Sequence, residues 1–256
     1  MEQKPRPDET FRTLKDEIRK RLLKYTRKAF SMLPRMDKPR ILDMGCGSGI
    51  PTLELARLGQ GEVIGIDIDR AALDELAGKI KKAGLADRVK AVPSSMLEMD
   101  FADGSFDIIW SEGSISAIGF ERGLREWKRL LKPGGFLVVH DEQGNVTKKL
   151  EQISGCGDEL LGHFILSQEV WRTEYFAPLE KLVAESRTGD PHDPKLLEEL
   201  RRAQEELALF EKAPQRNSSV FFIVQKTGFS ARADSRRGCP SSGIPKRRTS
   251  SQRKGR

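Results

Sequence analysis

Residues 41–49 read Ile-Leu-Asp-Met-Gly-Cys-Gly-Ser-Gly, and residues 64–67 read Ile-Gly-Ile-Asp. A short apolar run ends in clustered glycines. A second run, about 20 residues later, ends in a carboxylate. Glycine lets a backbone pass close to a ligand, because it lacks a Cβ and tolerates positive φ. A carboxylate at the second strand end can accept hydrogen bonds from both hydroxyls of a ribose. The pair points to a nucleoside-binding α/β domain.

Spacing narrows the nucleoside. Gly45, Gly47 and Gly49 make G-x-G-x-G, whereas the dinucleotide fingerprint is G-x-G-x-x-G. Ile50 holds the place of that third glycine. No G-x-x-x-x-G-K-[ST] occurs, which excludes a P-loop on pattern. Asp43, just ahead of the loop, would repel a pyrophosphate but suit a cationic ligand. S-adenosylmethionine carries a sulfonium and an ammonium and no phosphate. On these residues the chain resembles the class I S-adenosylmethionine-dependent methyltransferases.

The resemblance implies roles at successive strand ends. Gly45, Cys46, Gly47 and Gly49 would line the methionine part of the cofactor, with Asp43 near its ammonium. Asp67 would take the ribose hydroxyls, and Ile68 would pack on the adenine. Many relatives carry Gly-Asp-Ala after the third strand; here Ser94, Ser95 and Met96 stand in its place. The Ser95 hydroxyl can still accept from the adenine amino group, and Met96 can pack on the ring. The run Trp110-Ser111-Glu112-Gly113-Ser114, followed by residues 118–124, resembles a small-molecule subgroup related to quinone-biosynthesis methyltransferases. Ser111 would then face the sulfonium side.

Two residues are candidates for the chemistry itself. Glu112 is the acid nearest the expected transfer path. His140 opens the cluster His140-Asp141-Glu142 at the fifth strand end, and histidine titrates near neutrality. His163, Trp171 and Tyr175 lie in or before the segments expected to cover the site, where core packing is the plainer role. No metal site is expected, because the three histidines are scattered and no C-x-x-C occurs.

The elements that must position these residues follow from apolar periodicity. Strands are expected near 40–44, 62–67, 88–92, 106–111 and 135–140. Helices are expected near 50–58, 70–83, 119–131 and 145–153. That alternation implies a doubly wound, mostly parallel sheet covered on both faces. The run at 132–135, Lys-Pro-Gly-Gly, reads as a turn. Residues 159–166 and 220–225 read as further strands, and the resemblance makes the sheet seven-stranded with its last strand antiparallel. Residues 1–12 are expected to be disordered, 13–35 to form one N-terminal helix, and 167–215 to form a helical lid broken near 187–194. Together 13–227 would be one methyltransferase domain.

Bulk properties bound the rest. The formal charge of +7 is a property of the C-terminal segment, since 228–256 holds nine Lys or Arg and one acid, Asp234. The body is therefore near neutral. Residues 228–256 are expected to be a disordered basic tail. Nucleic acid is a possible partner only through that tail. No apolar run reaches 18 residues, the N-terminus is polar, and three cysteines lack a pairing or ligand pattern. A cytoplasmic monomer or homodimer acting on a small molecule is the leading expectation. An RNA or protein methyltransferase and a non-catalytic cofactor-binding module are the alternatives.

Overall fold

The computed structural model describes residues 6–187, 193–212 and 217–227. Seven strands form one sheet in the order β3-β2-β1-β4-β5-β7-β6. They are β1 (Ile41–Met44), β2 (Val63–Asp67), β3 (Val89–Pro93), β4 (Phe106–Glu112), β5 (Leu131–Glu142), β6 (Glu159–Leu166) and β7 (Ser219–Gln225). Strands β1 to β5 pair in parallel, and β7 runs antiparallel to both β5 and β6. The doubly wound sheet with its antiparallel last strand is the architecture expected from the sequence.

The inner strands β1, β2, β4, β5 and β7 are largely buried on both faces, so their side chains divide by parity. Ile41, Val63, Ile108, Trp110, Val138 and Phe221 pack with residues of α2 (Leu23–Ser31), α3 (Ile50–Gly59) and α4 (Arg70–Lys82). Leu42, Ile64, Ile109, Leu137, Val139 and Phe222 point the other way. They meet α5 (Phe120–Trp127) and α6 (Val146–Gly155). Each such side chain contributes about 1.5–3 kcal/mol on burial. The central strands therefore have one energetically acceptable register.

A third, smaller core belongs to the covering helices. These are α1 (Pro7–Lys20), the continuous run of α7 (Gln168–Trp171), a π-helical turn (Arg172–Phe176) and α8 (Ala177–Arg187), and then α9 (Pro194–Lys212). Phe11, Tyr175, Leu179, Val183, Leu200 and Ala203 are among its buried members. Polar ties dock α1 on the sheet body. Arg12 Nη1 lies 2.5 Å from Glu75 Oε1, and Asp16 pairs with Lys79 and accepts from Ser48 Oγ at 3.2 Å.

Three expectations are corrected here. Residues 7–12 are helical rather than disordered, because Pro7 starts α1, Asp8 and Glu9 suit its positive end, and Phe11 is buried. The single helix at 13–35 is two, with α1 ending at Lys20 and α2 starting at Leu23. Residues 132–135 lie inside β5 at a register shift opposite Phe106–Ile108, rather than in a turn ahead of it. Pro133 has no N–H for a ladder, and a bulge accommodates that. The expected break near 187–194 falls largely on 188–192, and the expected tail is 228–256; both lie outside the described residues.

The burial of Phe11 gives a direct check. Phe11→Ala is expected to destabilise the lid by about 3 kcal/mol. Hydrogen exchange at 177–187 and 194–212 would speed up, while β1 and β4 stay protected. Unchanged exchange in α8 and α9 would return the N-terminal segment to a passive role.

Candidate active site

The glycine loop joins β1 to α3 with Gly45, Gly47 and Gly49 all at positive φ. Two of these positions have different reasons to be glycine. A Cβ on Gly49 would lie 2.1 Å from Leu76 Cδ1, so α4 packs against the loop there. A Cβ on Gly47 would meet nothing within 4 Å. The loop is therefore held from below at Gly49 and open at Gly47, as close approach of a ligand requires. Cys46 turns inward and is buried, and burial pushes its thiol well above its usual pKa.

Asp67, at the end of β2, ties that strand to the loop. Its Oδ2 accepts from the Gly47 backbone N–H at 2.8 Å, and its Oδ1 accepts from the Asp69 N–H at 2.9 Å. Ile68 beside it is 79% exposed, an unusual state for isoleucine at a sheet edge. Ser95 Oγ accepts from the Leu97 N–H at 3.2 Å, and the Met96 carbonyl accepts from Trp127 Nε1 at 3.1 Å.

A cavity of about 730 Å³ begins at the glycine loop and runs beneath the covering helices. Asp43, residues 45–49, Glu112 and His140 line it, as do Arg19, Thr26, Trp171 and Tyr175. Asp67, Ile68, Ser95 and Met96 are outside its lining. The predicted residues thus fall into two groups, one within the cavity and one beyond the loop.

Strand parity explains the membership. Asp43, Glu112 and His140 continue the face of Ile41, Trp110 and Val138, and their strands are adjacent. Asp43 pairs in register with Trp110, and Glu112 with His140. Because β7 is antiparallel, it brings its first residue, Ser219, to the same end of the sheet, opposite Glu142. Ser111 has the opposite parity. It is fully buried, and its Oγ lies 2.8 Å from Ser114 Oγ, which donates to the Met44 carbonyl at 2.5 Å. The expectation that Ser111 faces the sulfonium is therefore corrected: it braces the loop from the other side of the sheet.

The electrostatics of the cavity floor are unusual. Asp43 is buried and accepts from Thr52 Oγ1 at 2.6 Å. Burial raises its pKa to about 7, the Thr52 bond opposes the shift, and Glu112 and Asp67 add to it. Glu112 Oε1 accepts from Trp110 Nε1 at 2.8 Å and Thr26 Oγ1 at 2.9 Å. Burial still pushes Glu112 up to about 7. Among the described residues no Lys or Arg pairs with Asp43, Asp67 or Glu112. An acidic floor without a cationic partner fits a cationic ligand.

His140 has a different character. Its ring stacks on Phe221, with centroids 4.1 Å apart, and its Nε2 lies 2.7 Å from Ser219 Oγ. Trp171 Nε1 donates to the same Ser219 oxygen at 2.8 Å. Burial and the charge of Lys149 lower the His140 pKa to about 3. A ring so reluctant to take a proton is a poor general base. The sequence-based role for His140 is corrected to that of a neutral, aromatic wall. Among the described residues no cluster of His, Cys, Asp and Glu could hold a metal ion.

Thr26, Thr52, Ser219 and Arg19 were not found by sequence reasoning. Thr52 sits three residues beyond the third glycine, where α3 turns it toward β1, a signal that could have been used. Thr26 and Arg19 sit on amphipathic helices whose docking was not readable from periodicity.

Residues 41–135 match the family described as Methyltransferase domain. Methyltransferase GfsG of Streptomyces halstedii is 36% identical over 103 residues, covering 40% of this chain and 37% of that protein. The 27-O-demethylrifamycin SV methyltransferase of Amycolatopsis mediterranei is 31% identical over 119 residues, covering 46% and 44%. The chain thus spans less than half the length of these relatives. Among solved structures, an S-adenosylmethionine-dependent methyltransferase from Geobacter sulfurreducens, in complex with S-adenosyl-L-homocysteine, superposes with a TM-score of 0.65 at 16% identity. That match covers 80% of this chain and 91% of the other. The [4+2]-cyclase SpnF superposes with a TM-score of 0.64 at 20% identity, covering 80% and 81%. The two superpositions show a shared fold, the seven-stranded Rossmann-like sheet with an antiparallel last strand. Among the described residues no helix is long and apolar enough to cross a membrane.

The raised carboxyl pKa values make stability depend on pH in a defined direction. A carboxyl whose folded pKa lies above its unfolded value binds more protons when folded. Stability then falls as pH rises from about 4.5 to about 7. Glu112→Gln keeps an oxygen for Thr26 and Trp110 and removes the charge. At pH 8, without ligand, it is expected to be about 1–3 kcal/mol more stable than the parent. The gain should vanish by pH 4, as read by urea melts at both values. Equal stability at pH 8 would place the Glu112 carboxylate in full solvent.

Proposed function

We propose that this chain, whose residues 41–135 match the methyltransferase domain family, is an S-adenosylmethionine-dependent methyltransferase acting on a small-molecule acceptor. The observation that carries the reading is the acidic, cation-free floor formed by Asp43 and Glu112 beside a glycine loop that is open at Gly47. When bound, S-adenosylmethionine supplies a methyl group already activated by a sulfonium.

The chain's own residues then have three tasks. Gly45, Cys46, Gly47 and Gly49 give the cofactor's amino-acid end a surface without side-chain obstruction, and Asp43 offers negative charge from beneath it. Asp67, already fixed by two backbone N–H groups, keeps lone pairs for the ribose hydroxyls. Ile68 and Met96 offer apolar contact to the adenine, and Ser95 offers a hydroxyl. The lid excludes water, so that nucleophile and methyl donor meet aligned.

Glu112 is our candidate for the general base. It lines the cavity and is held by Thr26 and Trp110 through one oxygen. Its pKa, raised to about 7, suits taking a proton from a hydroxyl or an activated carbon acid. A cationic cofactor nearby will lower that value, so the acid ionises as the site fills. His140 positions rather than reacts: it fixes Ser219, which in turn holds Trp171 of the lid.

The domain is read as one unit of body and lid within 13–227, with α1 extending it to Pro7. A cytoplasmic setting belongs to the reading, since Cys46 and Cys156 are unpaired thiols. Any nucleic-acid contact is assigned to 228–256 alone, and the working state is a monomer or homodimer.

Calorimetry with S-adenosylhomocysteine tests the cofactor assignment. Micromolar binding is expected, with Asp67→Ala weakening it at least tenfold. No heat at millimolar ligand would overturn the reading. Once an acceptor is in hand, Glu112→Gln should lower kcat by about 10²–10⁴ while leaving S-adenosylhomocysteine affinity within a few fold. The parent's rate should rise with pH to a plateau, inflecting at or below about 7, and the variant's profile should be flat there.

A further inference from the structure

The lid end of the cavity presents two adjacent donors, Arg19 and Tyr175, beside the carboxylate of Glu206. Arg19, in the last turn of α1, lines the cavity and is exposed within it. It forms no salt bridge to another described residue, and among the described residues no other Lys or Arg lines the cavity. Tyr175 lines the same cavity and is 3% exposed, and its hydroxyl is acted on by both Arg19 and Glu206. Arg19 and Tyr175 are therefore neighbours on one wall.

Two carboxylates share this end of the cavity, and one of them, Glu206, is a lining residue; both already have cationic partners of their own. Glu206 and Asp16 both act on Arg19. Glu206 Oε2 is engaged by Lys15 Nζ at 2.9 Å. Asp16 is shared between Lys79 and Ser48. Tyr175 also lies in the π-helical turn Arg172–Phe176, and such turns frequently occur at functional sites. It thereby departs from the α-helical spacing of α7 and α8.

Arg19 and the opposite end of the cavity are linked by chain geometry. Thr26, which donates to Glu112, lies seven residues beyond Arg19, on backbone that stays right-handed helical through Arg21 and Leu22. That is roughly 10 Å of helical rise. Leu22, Leu23, Trp171 and Phe176 line the space along the way. One end of the cavity thus holds Arg19, its lining cation among the described residues, beside Glu206; the middle is apolar, and the other end is acidic.

We propose that Arg19 and Tyr175 form an oxyanion subsite for the methyl acceptor, holding a carboxylate or phosphate on an apolar body whose nucleophile is presented to Glu112. The assignment of the anion's owner as the acceptor rests on the methyl-transfer reading. The planar guanidinium suits two parallel hydrogen bonds to such an anion, and the Tyr175 hydroxyl completes a third.

Equilibrium binding to the full chain, with and without saturating S-adenosylhomocysteine, tests the subsite. The probes are phenylacetate, phenyl phosphate and the neutral phenylacetamide. At least one anion is expected to bind ten times or more tightly than the amide, and which one does so identifies the preferred group. Arg19→Gln should abolish that discrimination, Arg19→Lys should keep part of it, and Tyr175→Phe should reduce it severalfold with the fold retained by circular dichroism. Binding of the amide within twofold of both anions, discrimination that survives Arg19→Gln, or no binding of any probe at 10 mM (about the weakest affinity worth calling a site) would each overturn the proposal. Failure of S-adenosylhomocysteine to bind would instead strike the methyl-transfer reading, while the anion discrimination remains readable on the cofactor-free chain.

Discussion

Strands buried on both faces admit no compromise in the direction of their side chains. Parity along β1, β4 and β5 sends Ile41, Trp110 and Val138 into one core, and the next residues into the other. The same parity decides what arrives at the mouth of the sheet. Asp43, Glu112 and His140 are delivered to the cavity because their strands have the registers that bury the hydrophobic residues before them. A slip of one residue in β4 would present Ser111 in place of Glu112, and would also turn Trp110 out of its core. The hydrophobic register and the chemistry are therefore one constraint.

That constraint carries an energetic consequence. Two carboxyl groups with pKa values near 7 are held where no described Lys or Arg pairs with them. Such groups lower stability at neutral pH relative to apolar replacements. The fold offsets this with hydrogen bonds from Thr52, Thr26 and Trp110, each to the carboxyl and none carrying charge. Neutral donors partly satisfy the oxygens without neutralising the field. A salt bridge in their place would stabilise the empty protein and weaken its attraction for a cationic ligand.

The glycine loop and the carboxylate that ends β2 were largely legible in the sequence, and the reason is physical. Glycines at positive φ and a carboxylate at a strand end are local features with few alternatives. Asp43, Asp67 and the loop therefore emerge from a window of about 30 residues. Ser111 failed because strand-end proximity was considered without side-chain parity, which the alternation of Ile109, Trp110 and Ser111 already contains. His140 was illegible for another reason. Its low pKa comes from burial and then from the charge of Lys149, and the ring it stacks on, Phe221, lies 81 positions away. Arg19 and Thr26 were illegible because a surface-like amphipathic helix does not announce what it docks on. Phe11 shows the same limit, as one aromatic in a polar stretch gave no periodicity.

The boundary between the legible and illegible halves coincides with a boundary in similarity. The family match covers 41–135, which holds the loop, Asp67 and Glu112. Arg19, Thr26, His140, Trp171, Tyr175 and Ser219 all lie outside it. The shared stretch is thus the part that holds the glycine loop and the mouths of β1, β2 and β4. The lid is built from segments before and after it, joined through their own small core. Because β7 returns antiparallel between β5 and β6, the second lid segment must leave from β6 and come back at Ser219, directly over the acidic floor. The topology obliges the chain to cover the cavity with residues from outside the matched stretch. The cover can therefore change without disturbing the loop, because the two are packed in separate cores.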